Sequence, residues 1–347
     1  MAMNTRKLAL TLTALLGLAV SAFAQTTQTQ ATVARVTGTA TVTQADGTTT
    51  ALTAGMKVAQ GATITTGADG DVYLESHAGY VTSIKGDSVV TVDEISVVSE
   101  GGQVKEERTM LDLKSGNLVA KLDPKKKSVN NYQVRTPKGV AAARGTVFTV
   151  MFRGQKYSVA VVNGTVSIAP VNNYRGRSLS QSVFGGTRSA STVNAGEILT
   201  EGGTGNIQRR VFSVNDAART EVDTRELLAA AVATVALAAQ NNIGGTTAAE
   251  AREVAAAVFA VAPGVAAQAA AIIKTSGGDT SSSNPVIQAI RSEVPAAQQG
   301  AFDTSSTSGT FTTTTTTNLR GLARDITTTT TTTPQPIDPS TISRSNE

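Results

Sequence analysis

The stretch TPKGVAAARGTVFTVMF, residues 136–152, decides the fold of this chain. In its second half, alternate residues from Phe148 to Phe152 lie on one face of a strand, while Val147 and Met151 lie on the other. A strand that is apolar on both faces is buried on both faces. The stretch therefore predicts a central β-strand of a folded domain.

Short strands and turn residues surround this stretch from residue 31 to residue 202. Asp46-Gly47 and Asn163-Gly164 each separate two runs of β-forming residues, and such pairs are strong signals for a two-residue hairpin. Short strands at spacings of about 8–12 residues are typical of all-β folds. The sequence predicts a mainly β domain over residues 31–202, built as a sandwich, barrel or roll.

The end of this region is less regular. Residues 171–190 are rich in Asn, Ser, Gly and Arg, and they are expected to form a long surface loop. Thr192-Val193 and Ile198–Thr200 follow the loop and are expected to pair with each other as the strands that close the domain.

Residues 220–298 change character and predict an alanine-rich helical region. Helices are expected at residues 223–240, 247–262, 265–274 and 285–294. Residues 258–268 align loosely with residues 290–298, since each reads as helix, proline, helix, and this indicates stacked helical hairpins. Alanine side chains bury little area each, so the helices are expected to have a weak core.

Residues 301–347 are of low complexity, with threonine runs at Thr312–Thr317 and Thr327–Thr333 followed by three prolines. The apolar content is too low to offset the entropy of ordering. A disordered linker and a glycosylated stalk are the two interpretations, and we favour a disordered Thr/Pro tail.

The first 24 residues have the pattern of a secretory signal peptide. Arg6 and Lys7 precede the apolar run Leu8–Val20, and Ala22-Phe23-Ala24 is a small-residue cleavage site. The run is shorter than the roughly 20 residues of a membrane span. We expect a periplasmic or secreted protein with no transmembrane span in the mature chain.

Composition argues against most kinds of chemistry. The 347 residues include no Cys and a single histidine, His77, so a histidine-based triad, a thiolate site and a multi-histidine metal site are not expected. Aromatic residues make up 4% of the chain, and removing two of the 30 basic residues with the signal peptide leaves a net charge near +2. Both values argue against nucleic-acid binding. No catalytic residue, metal site or cofactor is predicted.

Three charged motifs remain as weaker candidates. Paired carboxylates at Asp93-Glu94, or at Asp69 and Asp71, are the groups that a carbohydrate hydrolase would need. Asp69-Gly70-Asp71 is also a weak candidate for Ca²⁺, although a plain turn is the simpler interpretation. Lys125-Lys126-Lys127 is interpreted as a solvated basic turn, with contact to an anionic surface as the alternative.

Three stretches in order, Gly61–Gly67, Leu113–Val119 and Thr136–Val150, resemble the FecR-type periplasmic domain, and the resemblance extends over residues 55–168. The residues that carry it are expected to have mainly structural roles: Gly61, Ile64, Thr66, Gly67, Gly116, Thr136, Pro137, Gly139, Arg144, Gly145, Thr146, Phe148 and Val150. Signalling members of that family place a cytoplasmic helical region and a membrane span before this domain. A signal peptide stands there instead, so relay to a sigma factor is not carried over.

The resemblance and the composition together predict a non-enzymatic, exported envelope protein. It would act by binding an unidentified envelope protein or a cell-wall polymer. A structural or adhesive surface protein is the alternative, and a carbohydrate-active hydrolase is a less favoured one.

Overall fold

The computed structural model describes residues 24–170, 191–201, 207–211, 222–318 and 325–332. Residues 1–23, which hold nearly all of the predicted signal peptide, lie outside the described residues. The predicted surface loop at residues 171–190 and the last part of the tail, residues 333–347, also lie outside them.

The first part of the described chain consists of strands, as the sequence predicts. Their bounds are β1 Gln25–Gln28, β2 Ala31–Thr37, β3 Ala40–Thr43, β4 Thr49–Ala51, β5 Lys57–Val58, β6 Thr63–Thr66, β7 Asp71–His77, β8 Tyr80–Ile84, β9 Val89–Glu100, β10 Gln103–Leu122, β11 Asn130–Arg135, β12 Gly139–Ala143, β13 Val147–Arg153, β14 Lys156–Asn163, β15 Thr165–Pro170, β16 Ser191–Asn194, β17 Glu197–Glu201 and β18 Ile207–Val211.

These strands form two sheets that close into a barrel. The outer sheet has the order β4-β3-β6-β9-β10-β11-β12-β15-β16, and β1 pairs with the second half of β9. The inner sheet has the order β5-β2-β7-β8-β10-β13-β14-β17-β18. The mainly β fold class is confirmed.

Strand β10 belongs to both sheets because it bends in the middle. Its first half pairs with β9 and β11 in the outer sheet, and residues from Gly116 onward pair with β8 and β13 in the inner sheet. Gly116 has φ +95°, and a Cβ there would lie 2.1 Å from the Ser88 Oγ. Only glycine fits a backbone with this φ and this close approach. The motif position Gly116 therefore marks the point where the chain passes between sheets.

The core between the sheets contains large apolar side chains. Phe148 and Val150 are fully buried there, and the Phe148 ring meets Tyr132 edge-on with centroids 6.1 Å apart. Val147 and Met151 point to the opposite face of β13 and belong to a second cluster. The predicted burial of this strand on both faces is confirmed, and the second cluster explains it.

Helices cover the far face of the inner sheet. They are α1 Val222–Gln240, α2 Ala248–Val261, α3 Ala266–Thr275, α4 Pro285–Arg291 and α5 Ala296–Ser308. Helix α1 lies between the sheet and the other helices, and every residue from Leu227 to Ala238 is at least 96% buried. The molecule therefore has three layers: outer sheet, inner sheet and helices.

The helix ends follow local capping rules. Thr247 and Glu250 form a reciprocal capping box at the start of α2. The Asn284 side chain accepts from the amide of Val286 at 2.9 Å, and Pro285 occupies the first turn of α4. Helix α4 packs on α2, and α5 packs on α3, so the two helix pairs stack on each other. The two helices within each pair pack little on each other, so the predicted hairpins are wrong in that respect.

Two predicted pairings in the β region are wrong. Asn163-Gly164 does not close a hairpin, because β14 pairs only within the inner sheet and β15 pairs with β12 and β16 of the outer sheet. Gly164 has φ +85°, and a Cβ at this position would lie 2.9 Å from the Thr146 Oγ1. The turn thus carries the chain across the core. Thr192-Val193 and Ile198–Thr200 likewise lie in opposite sheets and do not pair with each other.

Two expectations for the C-terminal part also need correction. The weak helical core was expected from alanines alone, but the inner sheet adds large side chains such as Tyr73 and Met151 to it. The predicted start of the tail at residue 301 is wrong, since α5 runs to Ser308 and buries Phe302 completely. The threonine runs, for which no regular structure was expected, pair as β19 Phe311–Asn318 and β20 Asp325–Thr332, in keeping with the strand preference of threonine.

Candidate functional site

The motif at Thr136 builds a backbone turn. The Thr136 Oγ1 donates to the Gly139 carbonyl at 2.9 Å and accepts from the Gly139 amide at 3.1 Å. Pro137 stands exposed at the tip of this turn. A Cβ on Gly139 would lie 3.1 Å from the Ala169 carbonyl, so glycine allows β12 to approach β15 closely. All three residues serve the geometry of the strand entry.

The next part of the motif joins β12 to β13. Gly145 has φ +62°, and a Cβ there would lie 2.6 Å from the Pro124 Cα. The buried Thr146 Oγ1 donates to the Thr165 carbonyl at 3.2 Å. Arg144 lies half-buried beside this turn. These contacts hold the turn against the loop before β11.

The first part of the motif has the same character. Gly61 has φ +86°, and Ile64 is fully buried in the core. The Thr66 Oγ1 donates to the Lys85 carbonyl at 2.7 Å and accepts from the Ser88 amide at 2.9 Å. Gly67 donates its amide to the Thr39 carbonyl at 2.8 Å. Each of these residues, like those after Thr136, is occupied by backbone or core contacts.

The candidate carboxylates of a hydrolase are bound to cations on the outer sheet. Arg135 lies 2.5 Å from Asp93 and 2.6 Å from Asp112, so one guanidinium bridges the two carboxylates. Burial raises the pKa of Asp93, while the charge of Arg135 opposes that rise. Glu94 accepts from the Ser96 hydroxyl at 2.7 Å. Asp93 and Glu94 therefore have different partners, Arg135 for Asp93 and Ser96 for Glu94.

His77 and the middle lysine of the basic turn also have partners. Among the described residues, no group of three or more acidic, histidine or cysteine side chains could hold a metal ion. His77 makes a 3.0 Å hydrogen bond with the Arg108 carbonyl, and burial lowers its pKa. Lys126, in the basic turn, lies 2.9 Å from Glu107 and above the Tyr80 ring.

A row of polar side chains crosses the helix-facing side of the inner sheet. Asp71 on β7, Lys85 directly after β8 and Asn117 on β10 occupy neighbouring positions, and the apolar Met151 on β13 follows them. The Lys85 Nζ lies 3.0 Å from the Asp71 carboxylate, which also accepts from the Ser83 hydroxyl at 2.7 Å. Burial lowers the pKa of Lys85, and the neighbouring Asp71 opposes that shift.

Tyr73 lies one row deeper under helix α1. Burial raises the pKa of its hydroxyl well above the usual value, and the charge of Asp71 adds to this effect. Arg35 lies over the Tyr73 ring with 5.7 Å from the guanidinium carbon to the centroid, and it donates to the Ser276 carbonyl at the end of α3. The Arg35–Ser276 hydrogen bond thus fastens the helical layer to the sheet.

A cleft of about 390 Å³ opens where this row ends, between the inner sheet, α1 and α3. Its sheet side includes Asp71, Lys85, Asn117 and Arg153. Its helix side is formed by Glu226, Ala230, Gln268, Ile272, Thr275 and Ser276, and Phe311 and Thr332 reach its rim. Sequence reasoning missed this cleft because its two walls, within residues 68–153 and 226–332, are far apart in the chain.

A second feature is an arm at the far end of β9 and β10. Glu100 pairs with Gln103 across Gly101-Gly102, both with positive φ, and β1 pairs with residues 96–99 of β9. The other edge, at Gln103–Glu106, has no strand beside it among the described residues, because β11 pairs with β10 only from Glu107 onward. The Gly101-Gly102 pair is a hairpin signal in the sequence.

Val104 lies on this open edge. It is 45% exposed, and no other large apolar side chain in the described part of the chain is classed as exposed. Because exposed strand edges readily pair with another chain, the arm is the second candidate site.

None of the described helices is both long and apolar enough to span a membrane.

Comparison with known proteins gives one family match. Residues 62–167 match the family described as FecR protein, and no curated protein matches the chain. Among solved structures, two structures of a candidate anti-sigma factor from Parabacteroides distasonis match with 13% sequence identity and TM-scores of 0.32 and 0.31. Each match covers 43% of this chain and 59% of the other, so this chain spans less than two thirds of that protein.

Proposed function

We propose that this chain, whose residues 62–167 form a FecR-type domain, is a non-enzymatic binding protein that engages a partner protein outside the cytoplasm. FecR-type domains are regulatory modules rather than enzymes. The family match supports a regulatory, non-enzymatic class of function, and the arm supports one place on the molecule for binding.

The open edge of the arm is the observation that carries this proposal. Backbone amides and carbonyls of a strand edge can pair with an extended segment of another protein, and the side chains beside them add specificity. The arm already holds one added strand, since β1 pairs with β9 although the β1 side chains are exposed. Val104 adds an apolar contact to the free edge. We therefore infer that the partner adds a strand to Gln103–Glu106.

The proposed location outside the cytoplasm is supported by the order of basic, apolar and small residues at positions 6–24. Cell fractionation with an antibody against the full chain would test it. Recovery of the mature protein in the periplasm or the medium is expected, and recovery only in the cytosol would contradict it.

Site-specific photocrosslinking in cells would test the arm. A photoreactive residue at position 104 is expected to capture one partner protein, while the same residue at Thr50, on the exposed edge strand β4, is expected to capture none. The purified partner should then bind the full chain at least tenfold more weakly after Val104→Glu, but not after Thr50→Glu. Equal capture at both positions, or no effect of Val104→Glu, would contradict the proposal.

Crosslinking at position 104, sedimentation with cell wall and release of glycan products together separate the alternatives. A structural or adhesive protein would crosslink to further copies of itself at position 104. A cell-wall polymer as the partner would leave position 104 without a protein crosslink, and the chain would sediment with purified cell wall. A hydrolase would release soluble products from envelope glycans, and Asp93→Asn would abolish that release.

A further inference from the structure

The cleft beside helix α1 is lined by two polar side chains that each have one buried atom without a hydrogen-bond partner. Asn117 is 3% exposed, and its Oδ1 has no hydrogen-bond partner. Arg153 is half-buried, and its Nη1 is buried without a partner as well. Buried polar atoms in native proteins nearly always have partners, so a pair of such atoms in one cleft needs an explanation. This cleft lies on the inner-sheet half of β10, whereas the arm lies at the opposite end of the same strand, and the inference is independent of the proposed function.

Sheet register places the two side chains side by side. Asn117 on β10 is directly opposite Met151 on β13, and Arg153 is two residues further along β13. Residues two apart in a strand point to the same face, so Asn117 and Arg153 are diagonal neighbours on the helix-facing side of the sheet. Diagonal neighbours lie about 7–8 Å apart, which is a distance that one small ligand can bridge.

The acidic groups of the cleft are already engaged. Asp71 is held by Lys85 and Ser83, and the Asp69 carboxylate accepts from the Thr39 amide at 3.1 Å. Glu226, which lies on α1, also takes part in an interaction and is not free. The described residues hold no cluster that would suit a metal ion. The unmet chemistry is therefore one guanidinium donor and one amide acceptor.

Apolar groups complete the cleft. Ala68, Ala230 and Ile272 line it, and its volume of about 390 Å³ is within the range of small-molecule sites. A ligand that matches these features has a carboxylate for Arg153, an N–H donor for the Asn117 Oδ1, and a small apolar group for the alanines. Arginine is the side chain best suited to bind a carboxylate through two parallel hydrogen bonds.

We propose that this cleft binds the free C terminus of a peptide. The terminal carboxylate would lie on Arg153, the last backbone N–H on the Asn117 Oδ1, and a small terminal side chain against Ala230 and Ile272. A C terminus with this chemistry occurs in two sources, proteins with L residues and cell-wall peptides with D residues. The cleft chemistry is the same for both.

Calorimetric titration of the full chain would test the site. The probes are N-acetyl-L-alanyl-L-alanine and N-acetyl-D-alanyl-D-alanine, each compared with its C-terminal amide. We expect saturable binding of at least one acid, and at least tenfold weaker binding of its amide, since the amide lacks the charge that Arg153 needs. The preferred configuration identifies the source. Equal binding of acid and amide, or no binding of either acid at millimolar concentration, would overturn the proposal.

Three variants locate the site. Asn117→Asp keeps the shape of the side chain but adds a negative charge. Arg153→Lys keeps the positive charge but removes the guanidinium that can donate two parallel hydrogen bonds. Each variant is expected to bind the peptide acid at least tenfold more weakly. Asp46→Asn is the control, because this exposed carboxylate accepts from the Thr48 amide at 2.9 Å, does not line the cleft, and its loss should leave the affinity unchanged. Thermal melts show which variants are folded. Wild-type affinity in folded Asn117→Asp and Arg153→Lys would place the peptide elsewhere and contradict the inference.

Discussion

The interior of the two sheets and the helical layer are built from different side chains. Between the sheets, valine is common and tyrosine, phenylalanine, isoleucine and leucine supply the larger side chains, whereas six of the twelve residues of α1 from Leu227 to Ala238 are alanine. Small side chains let α1 approach the sheet closely, and the sheet contributes the large groups, such as Tyr73 and Met151. The helical layer therefore depends on the inner sheet for its core, and we expect the two layers to unfold together.

The largest expected effect comes from truncating the core between the sheets. Phe148→Ala should lower the free energy of unfolding by about 3–5 kcal/mol, because it removes a fully buried ring and leaves a cavity. Urea denaturation followed by far-UV circular dichroism checks both the size of the loss and the number of transitions. Phe148→Leu provides a milder variant if the alanine form does not fold. A sheet signal that melts before an unchanged helix signal would show that the layers are independent.

A smaller effect is expected where the layers are joined by charge. Lys121 on β10 is 96% buried in its side chain and lies 2.8 Å from Glu250 on α2. Glu250→Gln should cost about 1–3 kcal/mol, less than for a fully buried pair because a third of Glu250 reaches solvent. Glutamine can still complete the capping box, so the ion pair is the main change.

A double-mutant cycle with Lys121→Met measures this link. The double variant should recover part of the stability that Glu250→Gln loses, because no uncompensated buried charge remains. Additive losses in the cycle would mean that the ion pair does not connect sheet and helices.

A still smaller effect is confined to the helical layer. Thr247→Ala removes the side chain that caps α2 and should cost about 1 kcal/mol. The matched control is Thr304→Ala in α5, whose exposed hydroxyl donates to a carbonyl within the same helix and should change stability by only a few tenths of a kcal/mol. Chemical denaturation measures both variants. Equal losses would show that capping does not stabilise this layer.

The smallest effect is a pH dependence that arises in the sheets. Burial lowers the pKa of His77 below its usual value of 6.5, so the folded protein binds its proton less readily than the unfolded chain. Stability should therefore be complete above pH 6.5 and fall as the pH drops from 6.5 towards the lowered pKa. Among the groups near the ring, Glu107 raises this pKa and Lys126 lowers it. His77→Gln should flatten the urea midpoint between pH 7 and pH 5, and an unchanged slope would contradict this assignment.

Local patterns explain how far sequence reasoning succeeded. The burial of Val147 and Phe148 on opposite faces of β13 follows from strand alternation, and the start of α2 follows from Thr247 and Glu250. The hairpin predicted at Asn163-Gly164 is wrong because a positive φ at Gly164 is compatible with a crossing between sheets as well as with a hairpin. The choice depends on which strands lie beside β14 and β15, and that information is not local.

The amino-acid sequence by itself determined the β-rich first part, the helical second part, the family resemblance and the motif residues whose backbone needs are local. Only the tertiary structure decided that β10 serves both sheets, that α1 is buried against the inner sheet, and that Asn117 and Arg153 share one cleft. The physical reason is the range of the interactions. Alternation, capping and glycine geometry act over a few residues, whereas a core face or a cleft is formed by segments that only folding brings together.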